Sequence, residues 1–226
     1  MASFGEHKEE ILRKIYHVKH SENSHGIIDC KFKNSAYQLA LLTSLHVDDK
    51  YIIHLLTKWR KQHEWWFPAQ FKVALEGTAR WLINGVVEAP DRLLFMIRLG
   101  DAYIGHVGLF RFNFEKRVCE IDNIVRGEDG HKGIMGSAIV HMMRWGSEYL
   151  GLRGYDLQTF SDNGKSLALY TRLGFTEVKR VPLVRVEEGD RIEWSEAPAD
   201  FAVGASRYNV FMELTDFDEA WRALGK

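Results

Sequence analysis

The stretch from Glu120 to Phe175 constrains the fold of this chain more than any other. It starts with an apolar, β-branched run that predicts a strand, followed by a glycine-rich loop. A segment of helical periodicity comes next, then a short strand at Tyr155–Phe160, then a second helix that starts near Asn163 and stops at Gly174. The order strand, glycine loop, helix, strand, helix within about 55 residues predicts an α/β unit built around an anion site.

The loop has the chemistry of an anion cradle. Gly127, Gly130 and Gly133 are spaced three apart, and glycine lets neighbouring backbone N–H groups converge because it has no Cβ. The helix that follows adds unpaired N–H groups and the positive end of its dipole. This arrangement predicts a phosphate or pyrophosphate site, although a glycine-rich turn can also be only a tight turn. The phosphate-loop pattern GxxxxGK[ST] and the dinucleotide pattern GxGxxG are both missing from the sequence.

Two sequence motifs around this unit carry a family resemblance. The first is Lys132-Gly133-Ile134-Met135-Gly136-Ser137 at the start of the helix. The second is Asn163 followed by Ala168-Leu169-Tyr170-Thr171-Arg172-Leu173-Gly174-Phe175. The segment resembles the GCN5-related N-acetyltransferase (GNAT) superfamily. The resemblance implies the α/β (α+β) acyl-CoA N-acyltransferase fold, a mixed, mostly antiparallel sheet of about six to seven strands flanked by helices.

The resemblance also implies acetyl-CoA as the cofactor and places its contacts. The strand end would bind the pantetheine arm through backbone groups, and the loop with the helix start would bind the pyrophosphate. The implied cofactor-binding residues are Ile124, Val125, Arg126, His131, Lys132, Gly133, Ile134, Met135, Gly136, Ser137, Asn163 and Ser166. The loop departs from the family pattern at two positions: Gly130 stands where Gln or Arg is usual, and Met135 where Gly or Ala is usual.

Three residues are candidates for catalysis. In the family, the tyrosine that matches Tyr170 donates a proton to the leaving thiolate. Glu120 and Asp122 fall on one face of the predicted strand, together with Ile124, because side chains alternate along a strand. Either carboxylate could act as the general base that deprotonates the attacking amine, or could only form a salt bridge to a neighbouring arginine. His106 on the preceding strand is a second candidate base, or a core histidine.

The rest of the chain divides into an extension, residues 1–35, and a GNAT domain, residues 36–226. Trp65, Trp66 and Phe67 form an aromatic run that would line the acceptor pocket in such a fold, or pack into the core. The polar excursion at 187–204 could cover the acceptor site, and a short terminal helix is expected at 216–224. His17, His20 and His25 complete no known metal-ligand spacing, so no metal is predicted.

Composition narrows the function classes. The formal net charge of −1 argues against nucleic acid and anionic membrane as partners, and the longest apolar runs are too short to span a bilayer. Two cysteines and a charged N-terminus predict a cytoplasmic protein without a disulfide framework. The predicted function is transfer of acetyl to a primary amine of a small molecule, such as an amino sugar or sugar nucleotide, by direct attack, with a homodimer possible. The alternatives are a ribosomal-protein-type N-terminal acetyltransferase and a non-catalytic acyl-CoA-binding module.

Overall fold

The computed structural model of the protein describes residues 4–20, 26–198, 205–214 and 217. Within these residues the helices are α1 (Phe4–His20), α2 (Lys50–Gln62), α3 (Leu75–Trp81), α4 (Ile134–Trp145) and α5 (Gly164–Arg172). The strands are β1 (Ile27–Phe32), β2 (Ser35–Leu41), β3 (Ala69–Gln70), β4 (Leu93–Leu99), β5 (Ala102–Asn113), β6 (Val118–Arg126), β7 (Gly154–Phe160), β8 (Thr176–Glu188), β9 (Arg191–Glu196) and β10 (Arg207–Leu214). Single π-helical turns extend α3 to Val87 and α4 to Leu150.

The described strands form one sheet in the order β1-β2-β4-β5-β6-β7-β10-β8-β9-β3. Every pairing is antiparallel except that of β6 with β7, which is parallel. The predicted fold class, a mixed and mostly antiparallel sheet flanked by helices, is confirmed, but the sheet has ten strands rather than six to seven. The additional strands are β1, β3 and β9, which are short or lie in segments without a clear alternating pattern.

Apolar side chains bury both faces of the sheet. On one face α1, α4 and α5 pack over the strands and form the larger core, with Phe95 and Ile139 fully buried at its centre. On the other face α2 and the turn after α3 cover β4 and the end of β6, around the fully buried Trp59. Asp49 caps α2 by accepting the N–H groups of Tyr51 and Ile52. Among the described residues no helix covers β7, β10 and the start of β6 on this second face, and that opening positions the site.

The N-terminal helix α1 is anchored to the segment after α3 by one buried charge. Ile11, Ile15 and Val18 belong to the larger core. Lys19, 2% exposed, donates hydrogen bonds to the carbonyls of Val86 at 2.7 Å, Val87 at 3.2 Å and Ala89 at 2.5 Å. These carbonyls end the π-helical turn after α3, so the ammonium acts as its C-terminal cap. The predicted boundary between residues 35 and 36 falls inside β2, directly after its first residue, and β2 pairs with β1 from Ser35 to Ala40.

A two-residue ladder joins the far edge of the sheet to the segment after α2. Ala69 and Gln70 of β3 pair with Glu193 and Ile192 of β9, and the Trp194 N–H donates to the Pro68 carbonyl at 2.8 Å. The excursion expected at 187–204 therefore begins as ordered sheet, because β8 continues to Glu188 and turns into β9. Residues 199–204, His25 and the terminal helix predicted at 216–224 lie outside the described residues, apart from Phe217. In the described part of the chain no helix is long and apolar enough to cross a membrane.

Candidate active site

The site is organised by the separation of two parallel strands. β6 and β7 pair only at Val118–Glu120 with Gly154–Asp156. Beyond this point β6 stays paired with β5 as far as Arg126, while β7 stays paired with β10 as far as Phe160. The edge of β6 from Ile121 to Arg126 therefore faces a wedge-shaped gap between the strands. Backbone donors and acceptors on such an edge can bind an extended ligand in the manner of an added strand.

A β-bulge lies in the middle of this edge. Between the pairs Gly108–Asp122 and His106–Val125 the strand β6 contains one extra residue, and Asn123 takes a φ of 51°. His106 holds the bulge, because its Nδ1–H donates to the Asn123 carbonyl at 2.7 Å. Burial lowers the pKa of His106 to about 4, so the imidazole is neutral at physiological pH.

The bulge changes the facing of the side chains that follow it. Glu120 and Asp122 share the open face of the sheet, as strand alternation predicted. Ile124 was expected on that face too, but it packs against the larger core, while Val125 joins the core around Trp59. The extra residue reverses the alternation, because two residues of the bulged strand then oppose one residue of its partner.

The loop after β6 rests on α2 and is held by contacts between distant residues. Glu128 accepts hydrogen bonds from Lys58 Nζ at 2.7 Å and from Trp59 Nε1 at 2.9 Å. His63 Nε2 is 2.9 Å from the Arg126 carbonyl and donates to it. A Cβ on Gly127 would lie 2.0 Å from the Trp59 ring, so the loop passes closer to α2 than any other residue type would allow. These contacts with α2 and with His63 after it fix the path of the loop.

The loop ends at the first turn of α4. Gly133 is the N-cap with φ 90°, and a Cβ there would lie 2.6 Å from the Phe32 ring. The Ile134 N–H donates to the His131 carbonyl at 3.3 Å, and the first bond within the helix runs from the Ser137 N–H to the Gly133 carbonyl at 3.1 Å. Met135 and Gly136 lie between these two donors, and their N–H groups have no acceptor within α4, because the first turn of a helix leaves its N–H groups unpaired inside the helix.

The polar side chains predicted to bind cofactor around this turn differ in availability. Lys132 is exposed and His131 half-buried at the surface of the loop. Arg126 forms an exposed ion pair with Asp129, 3.1 Å apart. The Ser137 hydroxyl is fully buried and lies 2.7 Å from the Tyr37 hydroxyl, so its position stabilises the packing of α4 on β2.

Asn163, Ser166 and Tyr170 follow one another along α5. Asn163 is the N-cap and accepts the Ser166 N–H at 3.3 Å. Tyr170 is 4% exposed, and burial raises the pKa of its hydroxyl to about 12, an increase that a hydrogen bond with Ser166 partly offsets. The phenol therefore keeps its proton throughout the neutral range and can act as a donor.

Carboxylates and their partners line the open face where β6 and β7 begin to separate. Glu120 accepts hydrogen bonds from Arg111 Nη1 and from Gln158 Nε2 at 2.9 and 3.1 Å. Asp156, its neighbour across the strand pair, lines the same cavity of about 230 Å³ together with Glu213. Burial, followed by the charges of Glu120 and Glu213, raises the pKa of Asp156 to about 6. This value suits a general base at neutral pH.

Asp122, the other predicted acid, is further along the same face. Its Oδ2 is 3.2 Å from Arg92 Nη2, and it accepts the Asn123 Nδ2–H at 2.7 Å. Arg92 is itself stacked 3.5 Å from the Phe110 ring centroid. Both candidate acids therefore form the salt bridges that were the alternative interpretation, Glu120 with Arg111 and Asp122 with Arg92.

The aromatic run divides between surface and core. Trp65 and Trp66 are 51% and 40% exposed. Phe67 packs against the core around Trp59 and under the Arg60 guanidinium, 3.8 Å from its ring centroid. The indole of Trp65 lies 4.5 Å from the guanidinium carbon of Arg207, on the open face of the sheet.

Sequence reasoning missed several residues that the fold brings to the site. Asp156 and Gln158 lie beside Glu120, while Lys58 and Trp59 hold the loop. Asp156 had one usable signal, its place in a short strand beside the predicted site. The others are more than 30 residues from their partners or on a different element, so no local pattern indicates them.

Comparison with known proteins agrees with this geometry. The family model of the acetyltransferase (GNAT) domain matches residues 40–176, which is more than half of the 226-residue chain. No curated protein matches the sequence significantly.

Solved structures share the fold at low sequence identity. A Mycobacterium smegmatis RimJ in complex with CoA-disulfide has a TM-score of 0.62 at 15% identity, covering 88% of this chain and 93% of its own. An acetyltransferase from Salmonella typhimurium that modifies the N-terminal serine of ribosomal protein L7/L12 has a TM-score of 0.61 at 15% identity, covering 84% of this chain and 100% of its own. Spermidine N-acetyltransferase from Vibrio cholerae, in complex with CoA and spermine, has a TM-score of 0.58 at 20% identity, covering 79% of this chain and 94% of its own. From the extent of the family match, the chain belongs to the GNAT acetyltransferase family and is an acetyl-CoA-dependent N-acyltransferase.

Proposed function

We propose that the protein acetylates the primary amine of a small molecule by direct attack on acetyl-CoA bound between β6 and β7. The separation of these two strands after Glu120 and Asp156 is the observation that carries the proposal, because it frees the β6 edge that leads into the glycine loop. An amino sugar or sugar nucleotide is the proposed acceptor class. The β3–β9 ladder, which spans the acceptor side, favours a small acceptor over a folded protein surface.

The residues present fit the donor. The freed backbone of Ile124, Val125 and Arg126 would bind the pantetheine arm, and the N–H groups of Met135 and Gly136 would face the pyrophosphate with Lys132 and His131 beside them. Gly127 and Gly133 let the loop pass directly against the Trp59 and Phe32 rings, where a Cβ would collide. Acetyl-CoA would supply the thioester carbonyl that the amine attacks.

The chain's own groups would then manage charge and protons. A backbone N–H beside the bulge at Asn123, fixed by His106, can donate to the developing oxyanion. The pair Glu120 and Asp156 can take the amine proton, directly or through water, and Asp156 has the better matched pKa. Tyr170, protonated at neutral pH, can donate to the departing thiolate, whose pKa as a free thiol is about 8.5. Asp122 would contribute through Arg92 to the shape of the acceptor side.

Release of free CoA from acetyl-CoA with a panel of primary amines tests the proposal. The panel contains amino sugars, sugar nucleotides, polyamines and peptides with free N-termini. Tyr170→Phe and Glu120→Gln should each lower kcat by about ten- to a thousand-fold with little change in acetyl-CoA affinity. Exposed Tyr51→Phe is the matched control and should leave kcat unchanged. If both variants retain full turnover, the roles given to Tyr170 and Glu120 are wrong. If acetyl-CoA binds and no amine is acetylated, a non-catalytic acyl-CoA-binding module replaces the proposal. Acetylation of peptides alone would favour an N-terminal acetyltransferase.

A further inference from the structure

One arginine on the open face of the sheet is enclosed by aromatic rings. Arg207, the first residue of β10, is 3% exposed. Its guanidinium carbon lies 4.5 Å from the ring centroid of Trp65, 4.4 Å from that of Phe160 and 4.4 Å from that of Trp194. Asp162 accepts a hydrogen bond from Nη2 at 2.6 Å. Such stacking desolvates the cation and fixes the plane of its donors.

The donors of this cluster are incompletely used. Arg207 Nη1 and Trp194 Nε1 are buried and have no acceptor among the described residues. The same holds for Gln70 Nε2 on β3 and for Arg60 Nη1, whose Nη2 donates to the Ala69 carbonyl. These are four of the five unsatisfied buried side-chain atoms in the described chain, and all are donors around one strand ladder. Buried donors without an acceptor are costly, so the cluster is suited to a ligand rich in acceptor atoms.

The cluster lies on the open face of the sheet, the face that also carries Glu120. Arg207, Asn209 and Glu213 alternate along β10 with residues of the larger core, so they point to the open side. Asn209 Nδ2 donates to Gln158 Oε1, and Gln158 in turn donates to Glu120. A continuous polar row thus runs over the sheet from Arg207 to Glu120. Trp65 covers the guanidinium with one ring face while half of its surface stays exposed.

We infer that Arg207 and Trp194 form an anion subsite that binds a carboxylate or phosphate group of the amine acceptor. The inference rests on the proposed function and makes its acceptor class sharper: a primary amine that also carries an anionic group. A guanidinium offers two parallel N–H donors to such a group, and Asp162 uses only part of them. The β3–β9 ladder and Trp65 cover the subsite and would move to admit the acceptor.

Matched amines test the inference. Phosphoethanolamine is compared with ethanolamine, glucosamine 6-phosphate with glucosamine, and β-alanine with β-alaninamide. The anionic member of at least one pair should have a kcat/KM about ten- to a hundred-fold higher, the usual weight of a hydrogen bond to a charged group. The phosphate pairs and the carboxylate pair separate the two sources of the anion.

Substitutions in the subsite test whether it causes the preference for the anionic amine. Arg207→Gln should abolish the preference for the anionic amine of each pair. It should leave kcat/KM for the neutral amine within about threefold of wild type. Arg207→Lys should keep only part of the preference, because the positive charge remains but the two parallel N–H donors of the guanidinium are lost. Trp194→Phe keeps the ring and removes the indole N–H, so it should reduce the preference several-fold while the protein stays folded. Arg180→Gln, which removes an exposed arginine paired with Glu177, is the control and should change nothing.

Binding of inorganic phosphate, followed by tryptophan fluorescence, provides a readout without turnover. Wild type and Arg180→Gln should respond to phosphate, and Arg207→Gln should not. Equal acetylation of both amines of each pair, or a preference and a phosphate response that survive in Arg207→Gln, would overturn the subsite while leaving the proposed function intact. If no amine is acetylated but phosphate binding still depends on Arg207, the proposed function fails and the anion site stands.

Discussion

Glu120 and Asp156 face each other at the last paired position of β6 and β7, immediately before the two strands separate. One carboxylate is held by Arg111 and Gln158, whereas the pKa of the other is raised to about 6. Two adjacent acids with unlike surroundings can divide the work of a base, one held in position by its hydrogen-bond partners and one able to exchange a proton near neutral pH.

Substitution of Asp156 should therefore change both the pH profile and the stability. Its pKa in the folded protein, about 6, is above its ordinary value of 3.8, so its ionisation opposes folding as the pH rises through this range. We expect Asp156→Asn to stabilise the protein by about 1–2 kcal/mol at pH 8 and by nothing at pH 4. We also expect it to lower kcat at least tenfold and to remove the acidic limb of the rate profile near pH 6.

Urea unfolding at pH 4 and 8 and the pH dependence of kcat/KM check this expectation. Asp101→Asn, an exposed change in the turn between β4 and β5, is the control and should alter neither. An unchanged acidic limb in Asp156→Asn would assign the base to Glu120 alone.

His106 should make the protein sensitive to acid. Its pKa in the folded state, about 4, is below the ordinary 6.5, so the unfolded chain binds a proton between pH 6.5 and pH 4 that the native protein does not. Wild type should lose about 2–3 kcal/mol relative to His106→Gln when the pH falls from 7.5 to 4.5. Unfolding of both proteins in urea at the two pH values measures the difference.

His54→Gln, an exposed change on α2, is the control and should follow wild type at both pH values. His106→Phe, which removes the donor to Asn123, should cost a further 1–3 kcal/mol or so and lower kcat more than acetyl-CoA affinity. A kcat equal to wild type in that variant would show that the bulge has no part in the reaction.

The loop glycines should differ sharply in their tolerance of alanine. Gly127→Ala would place a Cβ 2.0 Å from the Trp59 ring, and we expect it to destabilise the protein by about 2–3 kcal/mol and to weaken acetyl-CoA binding at least tenfold. Gly130→Ala meets nothing within 4 Å and only strains a φ of 91°, so about 1 kcal/mol is expected. Thermal melting and calorimetric titration of both variants compare them; equal losses would mean that the loop does not rest on Trp59.

Lys19 should be essential for the docking of α1. Lys19→Met leaves the carbonyls of Val86, Val87 and Ala89 without their donor, and we expect a loss of about 2–4 kcal/mol in urea unfolding. Lys14→Met removes a surface pair with Glu10 and a contact 6.0 Å from the Tyr149 ring centroid, and should cost less than about 1 kcal/mol. If the two variants are equally stable, Lys19 does not hold α1 in place.

The sequence was sufficient where local pattern decides structure. The glycine loop, the cap at Asn163 and the position of Tyr170 on α5 all follow from spacing within one turn or strand. It was insufficient where distant segments decide. The bulge at Asn123 reverses strand alternation, β3 is two residues long, and the bonds from Lys58 and Trp59 to Glu128 join residues about 70 apart.

The strand ladder between β3 and β9 has a consequence for how such a protein can diversify. The ladder, Trp194 and Arg207 come from residues 69–70, 191–196 and 207, whereas the gap between β6 and β7 and the glycine loop come from residues 118–160. Evolution could therefore change the hairpin of β8 and β9 without disturbing the residues proposed to bind acetyl-CoA. Exchanging that hairpin between relatives would be a direct way to exchange their specificities for different amines.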